Sequence, residues 1–155
     1  MQQTRSPKTI LWYGAAATAA AAIFFPKIEA IRNDDASLWQ LAVFFAPGDR
    51  EGLVLVPLVI LLTIALFALV GGWAWNDSGA RNRPARVGIV CGILGLVGVL
   101  AFFLSAPIIF GGLAVTLGLE GRRRARTEGK GTEALAAIVL GTVAFVVGAA
   151  IWVFA

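Results

Sequence analysis

Long apolar blocks alternate with short polar ones along this chain, and most of the blocks have the length of a membrane helix. Thr9 to Phe25 (TILWYGAAATAAAAIFF) is apolar and reaches a full span if it continues through Pro26 to Ile31. Polar residues fill 27–37, and Leu38 to Ala46 (LWQLAVFFA) is then apolar for nine residues before Pro47-Gly48 stops it. A helix needs about 20 residues to cross a bilayer, so this piece reads as an interfacial segment, 37–46. Gly52 to Trp75 is a Leu- and Val-rich block with Pro57 inside, which membrane helices tolerate. The loop NDSGARNRPAR precedes 33 residues without a charge, Val87 to Leu119. EGRRRARTEGKGTE, 120–133, separates that run from a final block, Ala134 to Ala155.

As one helix the 33-residue run would reach about 50 Å, well past a hydrocarbon core of about 30 Å. Ser105-Ala106-Pro107 offers a break, because Pro107 lacks a helical donor and disfavours helix at the residue before it. The second arm is the shorter: Ile108 to Leu119 must borrow Ser105 and Ala106 or thin the bilayer. The pattern therefore predicts an all-α integral membrane domain with five transmembrane helices, 9–31, 52–75, 87–104, 105–121 and 134–155. Glu120 and Glu133 fall at inner helix ends in this scheme.

Charge decides between the hairpin and the single helix. With five spans and the N-terminus inside, ten basic residues lie inside: Arg5, Lys8, Arg81, Arg83, Arg86, Arg122, Arg123, Arg124, Arg126 and Lys130. Lys27, Arg32 and Arg50 lie outside. A single long helix would put the two arginine clusters on opposite faces. Basic residues favour the cytoplasmic side, so the hairpin is preferred, with the C-terminus outside. Tryptophans agree, at the inner ends of spans one and two (Trp12, Trp73, Trp75), outside (Trp39), and at the outer end of span five (Trp152). A secretory signal is the rival reading of the first block; since the chain begins at Met1, an uncleaved helix is expected.

Composition narrows the function more than it names it. The chain of 155 residues is 59% hydrophobic and 14% charged, with a mean hydropathy of +0.84. Soluble domains are about half apolar and about a quarter charged. A pI near 10.0 comes from basic loops beside apolar blocks, so nucleic acid is not expected as a partner. There is no histidine, one cysteine (Cys91, within an apolar run) and one methionine, Met1. No cofactor, metal site or catalytic residue is expected from such a set, and no enzyme.

Three constellations remain. Small residues recur at helical spacing: Gly88, Gly92, Gly95 and Gly98; Gly111, Ala114 and Gly118; Ala137, Gly141, Ala144 and Gly148. Such stripes let helices approach closely in lipid, within the chain or against a partner helix. Arg122, Arg123, Arg124 and Arg126 are topogenic residues and candidate contacts for anionic lipid. Leu38, Trp39, Leu41, Phe44 and Phe45 are a candidate partner surface, or else rest in the outer headgroups. Threonines within the apolar blocks are expected to bond carbonyls of their own helix.

Residues 104–148, LSAPIIFGGLAVTLGLEGRRRARTEGKGTEALAAIVLGTVAFVVG, carry a Pro break, a Gly-rich helix, an Arg-rich turn and a second helix containing Leu140-Gly141. In these features the stretch resembles a family of small bacterial multi-span membrane proteins that is defined only as a domain of unknown function. The resemblance covers residues 87–150 and implies a multi-pass protein of the bacterial cell membrane. The functional expectation is a non-catalytic accessory or structural subunit of a larger membrane complex, respiratory or envelope-related, whose partners are membrane lipids and other membrane-protein subunits. The alternative is a component of a small-solute or ion channel or transporter formed by homo-oligomerisation.

Overall fold

The computed structural model describes residues 7–33, 50–76, 82–100, 105–128 and 131–154, with side chains for 9–25, 56–76, 82–99, 105–125, 131–151, 153 and 154. Among them there are five helices and no strand. Helix α1 is Pro7–Asn33, and α2 is Arg50–Leu66, continued through a π-turn, Phe67–Gly71, into Gly72–Trp75. Helix α3 is Arg83–Val97 and tightens into a 3₁₀ turn at Gly98–Leu100. Helices α4, Ala106–Glu128, and α5, Thr132–Phe154, complete the chain. The interfacial segment 37–46, with Leu38, Trp39, Leu41, Phe44 and Phe45, lies outside the described residues.

Prolines set the helix starts. Pro7 opens α1, and Pro84 and Pro107 sit second in α3 and α4, where a missing N–H costs nothing. The expected break does fall at Ser105, whose φ is 52°. Two elements differ from expectation in their bounds. The α-helix of the third element starts at Arg83 and ends at Val97, short of 104. Helix α4 runs to Glu128, well beyond 121, because the Arg-rich stretch is itself good helix-forming sequence tied by pairs three and four apart.

Helices α3, α4 and α5 pack most closely, α1 lies against α4, and α2 packs on α1 at the edge. Glycine spacing explains the closeness. A Cβ on Gly92 would stand 2.8 Å from Leu140 Cβ, and one on Gly95 2.9 Å from Ala144 Cβ. One on Gly111 would meet Gly141 O at 2.7 Å, so α4 and α5 touch backbone to backbone. In α2 the buried positions Thr63, Phe67, Gly71 and Trp75 recur every four residues. An ideal helix would rotate that series off one face; the π-turn supplies the extra residue that holds it. Leu11, Phe67, Trp75, Cys91, Leu113 and Leu117 form the main apolar core.

Among the described residues, two helical segments are long and apolar enough to cross a membrane, Val56–Trp75 and Thr132–Ile151. The apolar part of α1, Thr9–Phe25, is shorter. Helix α3 is too short as an α-helix, and α4 carries its arginines within its own length.

Candidate functional site

Every charged side chain among those described lies at one end of the bundle, where α2 and α4 finish and α3 and α5 begin: Arg83, Arg86, Glu120, Arg122, Arg123, Arg124 and Glu133. Glu120 is at its centre, 1% exposed. Helical spacing brings it Arg123, whose Nε and Nη2 donate at 2.9 and 3.1 Å, and Arg124, whose Nε donates at 3.0 Å. Arg124 Nη2 also donates to the carbonyl oxygen of Trp75 at 2.6 Å. That carbonyl belongs to the last turn of α2 and has no acceptor role left within its helix. One guanidinium thus joins the end of α2 to a carboxylate of α4, as cations favour helix C-termini.

Asn82, just before α3, adds a third tie: its Nδ2 donates to Gly121 O at 2.9 Å. Gly121 admits this approach because α3 passes so close that a Cβ there would lie 2.8 Å from Ala85 Cβ. Asn82 Oδ1 and Trp75 Nε1 are buried without partners. Around the rim, Arg83 lies 4.0 Å over the Trp73 ring, and Arg86 pairs with both carboxylate oxygens of Glu133 at 3.1 and 3.3 Å. The hydrogen bond to Glu133, and then its charge, raise the Arg86 pKa above its ordinary value.

This collar corrects two expectations. Glu120 does not lie at a helix end; its carboxylate is buried within α4, because the helix continues past it and folds two arginines back onto it. Trp75, expected at a headgroup surface, is 7% exposed in the core, whereas Trp73, half a turn away, is exposed. Arg122 is exposed; Arg123 and Arg124 spend donors on Glu120; the side chain of Arg126 lies outside those described. The only sequence signal for the cluster is Glu120 followed by arginines at three and four residues.

The small-residue positions fall inside the α3–α4–α5 contacts. Gly88 faces Ala137 and Ala114, Gly98 faces Ala106, Gly118 faces Ile138 and Ala134, and Gly148 faces Pro107. Two glycines outside those stripes make the α1–α4 contact. Gly14 of α1 receives Thr116, and Gly112 of α4 receives Thr18, each so close that a Cβ would overlap the threonine. The same Gly-x-x-x-Thr spacing on two antiparallel helices builds this interlock. Thr116 also donates to Gly112 O at 2.8 Å, and Thr63 to Val59 O at 2.7 Å. Beside the interlock, α1, α4 and α5 leave a mainly apolar open cleft of about 520 Å³, lined among others by Tyr13, Ala17, Leu119 and Phe145.

Among the described residues no three His, Cys, Asp or Glu side chains lie together as a metal site would require. Set against models of protein families, curated proteins and solved structures, the chain matches none. The expected resemblance of residues 87–150 to small bacterial membrane proteins finds no counterpart in these comparisons.

Proposed function

We propose that the chain is a five-span helical protein of the bacterial cell membrane, N-terminus inside and C-terminus outside, and that it serves as a non-catalytic accessory subunit of a larger membrane assembly. One observation carries the reading: described charges collect at one end of the bundle, while the flanks are apolar. Leu61 is 63% exposed and Leu69 73% on α2, and Val139, Val143 and Val146 line the outside of α5. Apolar flanks of this kind suit lipid or another subunit better than water. In this reading the arginine collar is the inner, cytoplasmic end, which the distribution of basic residues favours.

Native purification in mild detergent tests it. The protein is expected to stay in membranes washed with alkaline carbonate and to leave them with larger partners in fixed ratio. Partner recovery should fall when Leu41→Ser and Phe45→Ser are combined, while membrane retention is unchanged. A homo-oligomer without partners would favour the channel reading instead.

A further inference from the structure

We propose that the cleft between α1, α4 and α5 is a binding site for one anionic phospholipid of the inner leaflet, with an acyl chain in the cleft and its phosphate at Arg122 and Arg123. The proposal rests on the membrane reading. A cleft of about 520 Å³ falls within the range of ligand sites, about 300–1,000 Å³. Its lining is mainly apolar, and it is open on the side where Tyr13 and Leu119 are exposed.

Charge complementarity selects the occupant. Leu119 is the cleft residue nearest the arginine end on α4, and Arg122 and Arg123 follow it at three and four residues, stacked one turn further on the same face. Arg122 is exposed, and the Arg123 side chain is 53% exposed although it donates to Glu120. Glu120 offsets only one of the three neighbouring arginines, so the mouth of the cleft keeps net positive charge. An apolar slot ending in cations at headgroup depth matches a lipid with a charged phosphate. A neutral lipid, or an apolar partner helix, would use the slot alone.

The test first asks whether the protein resists alkaline carbonate extraction. Release into the soluble fraction would defeat the membrane reading itself and this proposal with it. Carbonate-resistant protein is then delipidated in detergent and offered phosphatidylglycerol and phosphatidylcholine with matched acyl chains, and bound lipid is counted by native mass spectrometry. Preferential retention of one phosphatidylglycerol is expected. Arg122→Gln should reduce that preference about fivefold, the effect of one basic residue near anionic lipid. Ala17→Trp, at an exposed cleft position, should fill the slot and reduce retention of both lipids; circular dichroism confirms that each variant remains helical. Equal retention of the two lipids by the wild type overturns the proposal without any variant. So does an Ala17→Trp variant that loses a protein partner or self-association while its lipid retention is unchanged, which would assign the cleft to a helix.

Discussion

Ser105 illustrates how a single residue reconciles two local defects. Its φ of 52° costs a non-glycine residue about 1–2 kcal/mol, yet its hydroxyl donates to Ala22 O at 3.1 Å. Ala22 is four residues before Pro26, which lies inside α1 and has no N–H to give that carbonyl. The serine at the α3–α4 break thus supplies the donor that the proline withholds, in a spot where both partners are buried. Ser105→Ala should lower stability in detergent by about 1 kcal/mol, the net value of a hydrogen bond. Ser105→Gly should be near neutral, since relief of the backbone offsets the lost bond. In a Pro26→Ala background the cost of Ser105→Ala should fall toward zero, because Ala22 O regains a donor; strictly additive effects in that double-mutant cycle would refute the account.

At the scale of elements, glycines that look alike in sequence divide by what faces them. Gly111 and Gly141 meet backbone, which cannot move aside, so Gly111→Leu and Gly141→Leu should each cost well over the usual 1–3 kcal/mol of overpacking and prevent tight association of α4 with α5. Gly72 should behave oppositely, because a Cβ there would meet nothing within 4 Å: Gly72→Ala should stabilise α2 by about 0.5–1 kcal/mol. Thermal unfolding in one detergent separates the two classes. Glu120 is the electrostatic counterpart of this packing, linking α4 to α2 through Arg124. Glu120→Gln should cost about 2–3 kcal/mol in chemical denaturation, since a neutral amide replaces a buried, charge-assisted acceptor. An unchanged unfolding midpoint would mean that the arginines are solvated rather than held.

For the whole molecule, the prediction concerns sidedness. In a Cys91→Ala background, single cysteines at Ser78, Thr127 and Asp35 would be exposed to an impermeant thiol reagent on intact cells. Only the Asp35 site should react, because the proposed topology puts the arginine-rich loops inside and the 27–50 region outside. Reaction at Thr127 would separate α4 and α5 into a different topology. Cys91 is buried among the core side chains, so its replacement by a slightly smaller residue should be tolerated.

The helical class, the break at Ser105, the proline-led start of α4 and the small faces of α3, α4 and α5 were all legible in the sequence, because each depends on residues within a turn or two of one another. Apolar block length, a missing N–H and a glycine every three or four residues act locally and survive without knowledge of the fold. The reach of α4 to Glu128 was locally encoded too, but the charge of GRRRAR disguised helix as loop. What only the tertiary structure decided joins distant positions: Ser105 with Ala22, 83 residues apart, Arg124 with Trp75, 49 apart, and Asn82 with Gly121, 39 apart. The Gly14–Thr116 and Gly112–Thr18 interlock and the cleft beside it belong to the same kind. These contacts depend on which helix faces meet and in what register, and many registers are compatible with the same local pattern. Close packing selects among them, since the glycines admit a neighbour only where its bulk, or its backbone, fits the missing side chain.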